Sequence, residues 1–425
     1  MIAGIERAVE DGMDVINLSL GSETNNQRSA DSIAVNNAMK AGVVAVVSSG
    51  NSGPGAATVS DPGTSELAIT VGASKPPLVT PIMQIAAMGE EGFFMETFDK
   101  SAGIEDLTES YPLVDVGVGK PGDYAGKDLT GKIAFIKRGE ISFADKALNA
   151  QASGAVAAIV FNNAPEALES GTLGDAEVNI PVYALSGAYG ERIRTALKEQ
   201  ELSAEFSSTI EEDIMAGFSS RGPAKPAYDI KPDISAPGMG IRSSVPEYEG
   251  WYAAQNGTSM AAPHVTGAAA LVVQKYPSLT PYEIKSLLMN NTVKLSDRNG
   301  DRYTHMDQGA GRIALDQVLE AKAVAMAEDS TPYVDGEVPE TFYTGSLSFG
   351  YVGNGFSAEQ HVIVKDIAGE SSNYAISSQW YGNSPIDLTL SAAEVAVSAG
   401  GENSFDVESW CRKKRRISAT KAKWS

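Results

Sequence analysis

The chain has 425 residues, enough for two to four domains, and its 43% hydrophobic and 20% charged residues are typical of globular proteins with buried cores. The 54 acidic residues outnumber the 33 basic ones and give a formal charge of −21, which argues against binding to nucleic acid or to anionic membrane surfaces. No apolar run in the sequence reaches the roughly 20 residues that cross a bilayer, so we expect no membrane insertion.

Cysteine and histidine are scarce. The single cysteine, Cys411, cannot form an internal disulfide, and the three histidines are His264, His305 and His361. Residues 1–13 lack the basic and apolar regions of a secretion signal, so we expect no signal peptide in this chain. The composition predicts no zinc site, because zinc is held mainly by these two residue types.

The first 75 residues alternate between helix and strand patterns. Apolar residues at helical spacing predict a helix over residues 2–9, and further runs predict a strand over 15–20 and a helix over 32–40. The unbroken apolar run Val43–Val47 is typical of a strand buried on both faces of a parallel sheet. The alternation predicts a doubly wound, mainly parallel α/β core.

The pattern changes after residue 75. Residues 76–212 are rich in glycine and contain a β–α–β unit, with a strand over 132–137, a helix over 143–152 and a strand over 156–161. We therefore predict a self-contained α+β domain inserted into the α/β core.

The α/β pattern resumes over residues 213–328. An apolar helix is predicted from residue 258 to about 276, and the next helix has a capping box at Thr280 and Glu283. A last helix is predicted to end near Met326.

Residues 329–410 alternate between apolar and polar residues and predict a β-sandwich of the fibronectin III kind. The sandwich is predicted to be partial, because such domains usually take about 100 residues. The last fifteen residues, 411–425, then hold seven of the 33 basic residues and no acid. We hypothesise a reading-frame change near Ser409, and the alternative is a natural basic interaction tail.

The segment GTSMAAPHV, residues 257–265, carries the clearest chemical signal. A serine at the point where a glycine turn becomes a helix lies among unpaired N–H groups that favour a developing negative charge. By this criterion Ser259 is either a nucleophile or a helix cap. The nonapeptide resembles the nucleophile motif of the subtilases, the subtilisin-like serine peptidases of family S8, and lacks the G-x-S-x-G elbow of α/β-hydrolases. The resemblance implies that Ser259 is the acylated nucleophile.

The segment SSGNSGP, residues 48–54, follows an apolar strand, at the end of the sheet where open α/β folds place ligands. An asparagine here can be a simple turn residue. In the subtilase pattern the matching asparagine donates its side-chain amide to the oxyanion, so the resemblance assigns that role to Asn51.

The segment INLSLG, residues 16–21, resembles the subtilase strand whose edge pairs with an extended substrate peptide, and the alternative is an ordinary core strand. The resemblance implies a substrate pocket with two walls, formed by Ser19, Leu20 and Gly21 and by Ser48, Ser49 and Gly50. Residues 131–163 resemble a protease-associated (PA) domain, which large secreted subtilases carry at this place; the alternative is a spacer.

The rest of the catalytic triad is not found in the sequence. Subtilases carry an aspartate in an Asp-Ser/Thr-Gly turn and a histidine in a His-Gly-Thr segment before the strand that matches residues 15–20, and neither motif occurs here. His264 is about 140° around the helix from Ser259 at 3.6 residues per turn, and the other two histidines fall in a polar loop and in the β region. We therefore expect an N-terminally truncated subtilase.

The resemblance implies an extracellular or cell-surface serine endopeptidase that cleaves proteins or peptides, most similar to the large subtilases of Gram-positive bacteria. It requires no cofactor and no catalytic metal. A structural calcium ion, common in subtilases, is compatible with it, although no EF-hand-like run of ligands occurs. The alternative function is a non-catalytic pseudopeptidase that binds extended peptides through residues 19–21 and the PA domain.

We predict negligible peptidase activity for this chain alone, because a serine hydroxyl needs a base and a group that orients the base. In a subtilisin, a member of the family resembled here, loss of the histidine lowers turnover by about 10⁶. Intact-mass analysis after incubation with a fluorophosphonate measures the modified fraction, with Ser259→Ala as control. Rapid stoichiometric labelling of Ser259 would contradict this prediction.

Overall fold

The computed structural model describes residues 1–89, 92–98, 100–105, 107–166, 168, 172–174, 176–330, 340–350, 355–380 and 386–411. The chain divides into two compact units. The first contains Met1–Ser74, Asp213–Ile241 and the chain from Gly257 onward, and the second contains Lys75–Glu212 and Arg242–Asn256. Among the described residues, no helix has both the length and the apolar character of a membrane span.

A six-stranded sheet at the centre of the first unit confirms the predicted α/β core. All neighbouring strands run parallel except the last pair, which is antiparallel. In spatial order the strands are Val15–Leu18, Val44–Ser48, Ile69–Ser74, Ile234–Pro237, Arg312–Ile313 and Thr292–Val293.

The strand Val44–Ser48 is buried along its whole length, as its unbroken apolar run predicts. It pairs with Ile69–Ser74 on one side and with Val15–Leu18 on the other. The strand predicted over residues 15–20 is shorter than expected, because its ladder with Val44–Ser48 ends at Leu18. Ser19 and Leu20 therefore lie beyond the sheet, in the segment that follows its carboxyl end.

Helices pack against this sheet. The longest, Thr258–Lys275, is called the serine helix below, and it packs across the first four strands of the sheet. Its sheet-facing residues include Ala261, Ala262 and Val265, and these small side chains allow a close approach. The other described helices of this unit are Ile2–Glu10, Ala30–Lys40, Pro281–Asn290, His305–Gln308 and Leu315–Glu320.

The capping box predicted at Thr280 and Glu283 is confirmed. The Thr280 hydroxyl accepts a hydrogen bond from the Glu283 N–H, and the Glu283 carboxylate accepts one from the Thr280 N–H at 2.7 Å. The helix predicted to continue to Met326 is wrong, because it ends at Glu320 and Ala323–Ser330 is a strand. Val324 and Met326 are buried at a spacing of two residues, so the periodicity is that of a strand.

A five-stranded antiparallel sheet, called the C-terminal sheet below, is also part of the first unit. In spatial order its strands are Thr341–Thr344, Ala323–Ser330, Ser357–Asp366, Glu402–Cys411 and Ile386–Leu390. Ser372–Ala375 and Glu394–Val397 form a separate two-stranded sheet. Cys411, assigned to the basic tail from sequence, is the last residue of a strand, and residues 412–425 of that tail lie outside the described residues.

The second unit contains an eight-stranded mixed sheet. In spatial order its strands are Gly92–Phe94, Leu78–Gln84, Ser203–Glu211, Tyr111–Asp115, Ile133–Lys137, Ala157–Phe161, Val182–Leu185 and Glu96–Thr97. The helices Phe143–Ala152 and Gly187–Ala196 belong to this unit, and a two-stranded sheet pairs Ile241–Ser244 with Tyr252–Gln255.

The predicted β–α–β elements of the second unit are confirmed as the strand Ile133–Lys137, the helix Phe143–Ala152 and the strand Ala157–Phe161. Both strands are apolar because they are covered on both faces. The rings of Phe135 and Phe161 stack with centroids 4.9 Å apart in one of the two cores.

We predict that Phe135→Ala lowers the free energy of unfolding of the second unit by about 3–5 kcal/mol, because it removes a fully buried ring and leaves a cavity. The control is Ile210→Ala in the same unit, whose side chain is 71% exposed and whose loss is expected to cost less than about 0.5 kcal/mol. Urea unfolding followed by far-UV circular dichroism measures both. Equal effects of the two substitutions would contradict the assigned core.

Candidate active site

The serine helix begins at a glycine held in an unusual backbone conformation. Gly257 precedes the helix with a φ of 154°, and its N–H donates to the carbonyl of Gly238 at 2.8 Å. A Cβ atom at this position would lie 3.5 Å from the Asn51 Nδ2 atom and 3.6 Å from the Ser259 backbone nitrogen. The hollow above Gly257 is therefore bordered by two nitrogen donors, and the absence of a side chain leaves it open.

Asn51 is hydrogen-bonded to the first residue of the serine helix. Its Oδ1 atom accepts hydrogen bonds from the Thr258 N–H at 3.0 Å and from the Thr258 hydroxyl at 2.9 Å. The Thr258 hydroxyl in turn accepts from the Gly50 N–H at 3.2 Å. Because both bonds use the Asn51 oxygen, the orientation of the amide is fixed and its Nδ2 group remains as the donor beside the hollow.

Ser259 contacts the end of the edge strand. The Ser19 hydroxyl donates to the Ser259 carbonyl at 2.8 Å, and the Ser259 hydroxyl donates to the Ser19 carbonyl at 3.4 Å. The Ser259 side chain is half-buried, so its hydroxyl can reach solvent. Asn17 supports this contact from the strand, because its amide donates to the Ser19 hydroxyl at 3.0 Å.

These contacts bring together three segments that are distant in sequence. Val15–Leu18 and Val44–Ser48 are neighbouring parallel strands, so the residues after both strands meet at one edge of the sheet. The serine helix begins against that edge. As the second residue of a helix, Ser259 has a backbone N–H without an intrahelical acceptor, and the helix dipole adds partial positive charge there. The arrangement can stabilise an oxyanion next to a serine hydroxyl.

The six residues predicted to form pocket walls differ in exposure. Leu20 is 46% exposed and Gly21 is also exposed, whereas Ser48 and Ser49 are 4% and 0% exposed. The Ser48 hydroxyl donates to the Leu18 carbonyl at 3.4 Å. The side chains of Ser48 and Ser49 are therefore buried behind the predicted wall of residues 48–50. Gly50 is the half-exposed residue of this wall.

Ser60 lies close to both segments predicted to form the pocket walls, and the sequence did not indicate it. Its Oγ atom lies 2.9 Å from the position of a Cβ on Gly21 and 2.5 Å from that of a Cβ on Gly50. Its N–H donates to the Ser49 carbonyl at 3.0 Å. Ser60 thus joins the two walls from below. The surrounding sequence VSDPG has no periodic or motif signal that indicates this position.

All three histidines lie in the described part of the chain, and each bonds elsewhere. The Nδ1 atom of His264 pairs with the Met260 carbonyl at 2.8 Å, and that of His305 with the Gly309 carbonyl at 3.1 Å. His361 pairs with Asp406 at 2.7 Å in the C-terminal sheet. None of them forms a hydrogen bond with Ser259.

A structural calcium ion stays a prediction, because calcium ligands include backbone and amide oxygens as well as carboxylates. Within the described residues, no group of three or more histidine, cysteine, aspartate or glutamate side chains is placed to hold a metal ion.

Comparison with known proteins identifies the relatives of this chain. The profile of the subtilase family matches residues 1–311. The minor extracellular protease Vpr of Bacillus subtilis (strain 168) is 41% identical over 332 residues, which are 76% of this chain and 41% of Vpr. The PII-type proteinase of Lactococcus lactis subsp. cremoris is 32% identical over 394 residues, 79% of this chain and 20% of that protein.

A plant protein is similar as well. The subtilisin-like protease SBT5.4 of Arabidopsis thaliana is 30% identical over 339 residues, which are 72% of this chain and 42% of the plant protein. The chain therefore spans less than half the length of these curated relatives.

We predict that Gly50→Ala lowers the free energy of unfolding more than Gly42→Ala does. Both glycines have a φ near +100°, so the backbone strain of about 1–2 kcal/mol is common to both substitutions. A Cβ on Gly42 meets nothing within 4 Å, whereas a Cβ on Gly50 would lie 2.5 Å from the Ser60 Oγ atom. Urea unfolding measures the difference, and adding Ser60→Gly should remove the surplus. Equal costs at the two positions would contradict the close contact of Gly50 with Ser60.

Proposed function

Because the chain belongs to the subtilase family, we propose that it supplies the nucleophile, the oxyanion site and the substrate-binding edge of a secreted serine endopeptidase. One observation carries the proposal. The Asn51 amide nitrogen and the Ser259 backbone nitrogen lie 3.5 and 3.6 Å from one point, the Cβ position of Gly257, which is also 3.6 Å from the Met260 Sδ atom. Two converging donors beside a half-buried serine are the arrangement that acyl transfer requires.

In the proposed reaction the Ser259 Oγ atom attacks the carbonyl carbon of the scissile peptide bond. The carbonyl oxygen becomes an oxyanion and accepts hydrogen bonds from Asn51 and from the Ser259 N–H. The serine proton passes to a general base and then to the leaving amine, and water later hydrolyses the acyl-enzyme. No histidine of this chain is placed as that base, so we propose that an aspartate and a histidine outside these residues complete the triad.

The substrate is an extended polypeptide. Leu20 and Gly21 are exposed, and neither makes a backbone hydrogen bond with another described residue, so their N–H and C=O groups are available to pair with a peptide. The side chain next to the scissile bond then enters between residues 19–21 and Gly50, above Ser60. We further propose that the enzyme works outside the cell, as the name of the minor extracellular protease Vpr states for that relative.

The remaining parts of the chain have accessory roles in this proposal. We assign the second compact unit to a protease-associated domain that contributes to substrate binding. The C-terminal sheet is assigned to part of a β-sandwich domain that follows the catalytic core.

A pseudopeptidase is the competing function, and the lack of a base near Ser259 favours it for the isolated chain. Such a protein would use the same edge at Leu20 and Gly21 to hold extended peptides without cleaving them. The two functions differ in one measurable property, which is whether Ser259 becomes acylated once a base is supplied.

We predict that fusing a subtilase N-terminal segment that carries the Asp-Ser/Thr-Gly and His-Gly-Thr motifs ahead of Met1 produces casein hydrolysis that depends on Ser259. The Ser259→Ala variant of the fusion should be inactive. Its Asn51→Leu variant should show a turnover lower by about 10²–10³, the value known for the matching asparagine of a subtilisin. Release of acid-soluble peptides measures the rates, and thermal unfolding of each variant controls for folding. A folded fusion that cleaves no faster than its Ser259→Ala form would contradict the peptidase and support the pseudopeptidase.

A further inference from the structure

The C-terminal sheet is held against the α/β core of the same unit by an apolar anchor. Phe342 is 6% exposed and packs in a core cluster with Val35, Met39 and Leu67. The helix Pro281–Asn290 packs against two strands of the C-terminal sheet, Ala323–Ser330 and Thr341–Thr344.

Polar contacts reinforce this interface. The Asn290 side chain accepts a hydrogen bond from the Ala325 N–H at 2.8 Å, and Lys365 pairs with Glu283. A Cβ on Gly345 would come within 2.8 Å of the Met289 Cβ atom, so the two surfaces are in close contact.

A charged cluster is buried next to the anchor. The Asp233 carboxylate pairs with the ammonium groups of Lys231 at 2.6 Å and Lys285 at 3.0 Å, and all three side chains are at most 3% exposed. Burial by itself would raise the pKa of Asp233, but the two ammonium groups hold it below its ordinary value. Burial lowers the pKa of Lys285 to about 8, so this side chain carries its positive charge below that pH.

Three further carboxylates line a cavity of about 20 Å³ beside this cluster, and they leave it with an excess of negative charge. Glu66 accepts a hydrogen bond from Asn36, and Asp229 accepts one from Gln27, both at 2.6 Å. Among the described residues, neither they nor Asp329 form an ion pair. Burial raises the pKa of Glu66 and of Asp229 above the ordinary range.

Asp329 is the carboxylate that belongs to the C-terminal sheet. Burial is the main cause that raises its pKa to about 6, and the nearby charges of Asp229 and Glu66 add to the effect while Lys285 opposes it. Asp329 has these neighbours only while the C-terminal sheet is docked. When the sheet moves away, water hydrates the carboxylate and its pKa returns to about 3.9.

We propose that the protonation of Asp329 controls how tightly the C-terminal sheet is held against the α/β core, with tight docking in acid and weaker docking at neutral pH. The sign follows from linkage. Because the docked state has the higher pKa, docking is strongest below about pH 4, where both states are protonated, and weakens as the pH rises through about 6. A difference of two pKa units corresponds to about a 100-fold change in the docking equilibrium.

Other titratable groups face Asp329 from the outer side of the C-terminal sheet and must be separated from it experimentally. Asp329 also lines an open pocket with Glu328, Glu359, His361 and Asp406. A variant of His361 is needed as a control, because histidine side chains in general can change charge in the same pH range. Lys285 loses its proton near pH 8, above the range in which Asp329 titrates.

The experiment is hydrogen–deuterium exchange of the whole chain between pH 4.5 and 7.5, corrected for the intrinsic exchange rate and read by mass spectrometry. The peptides that report docking are Pro281–Asn290 and Ala323–Ser330, which face each other across the interface. We expect their protection to fall by about 25-fold from the lowest to the highest pH, because the undocked carboxylate is already mostly ionised at pH 4.5. Asp329→Asn should abolish most of this fall and give stronger protection than the wild type at pH 7.5.

Two variants serve as matched controls and one as a second test. Glu328→Gln and His361→Gln should keep the pH dependence of the wild type. Glu66→Gln should move the midpoint of the pH dependence to lower pH, because a negative charge near Asp329 is removed. This variant tests the proposal even where Asp329→Asn fails to fold. Three results would overturn the proposal. They are protection that is independent of pH in the wild type, protection that remains pH-dependent in Asp329→Asn, and a loss of the pH dependence in His361→Gln.

Discussion

The candidate active site depends on the hydrogen bonds that join the start of the serine helix to the ends of two parallel strands. Asn51 accepts from both the N–H and the hydroxyl of Thr258, and Ser19 and Ser259 bond to each other's carbonyls. These bonds orient the amide nitrogen of Asn51 and position the Ser259 hydroxyl. The proposed oxyanion site depends on this register of helix and strand ends, because its two donors come from different elements.

The packing of the sheet keeps that register in spite of a long insertion. The chain leaves the core at Ser74 and returns at Asp213, and Ser74 pairs with Met215 in an isolated bridge. The ends of the insertion therefore meet within the first unit, and the strand Ile69–Ser74 still pairs with Ile234–Pro237. An insertion whose ends are adjacent can be long without distorting its host, because the host backbone continues from nearly the point at which it was left.

The buried charges of the first unit show a different constraint. Asp233 is balanced by Lys231 and Lys285, whereas the buried Glu66 and the half-buried Asp229 and Asp329 accept hydrogen bonds from neutral donors only among the described contacts. Burial without a counter-ion disfavours the charged form of a carboxylate, so the contribution of that carboxylate to stability depends on pH. The interface with the C-terminal sheet is therefore apolar at Phe342 and sensitive to protonation at Asp329. The proposed peptidase chemistry at Ser259 and this interface are separate properties of one unit.

The sequence by itself determined the α/β core, the two helix starts and the residues of the active-site motifs, because these depend on local patterns. The apolar run before Ser48 predicts a buried strand, and the nonapeptide around Ser259 predicts the turn at Gly257. The sequence failed where a short segment fits two periodicities, so Ala323–Ser330 was assigned in part to a helix and proved to be a strand. Its partners Thr341–Thr344 and Ser357–Asp366 are distant in the chain, and their hydrogen bonds decide its structure. Tertiary structure alone placed Ser60 close to Gly21 and Gly50, and Asp329 around one cavity with Glu66 and Asp229. Such proximity arises from contacts between residues that no local pattern connects.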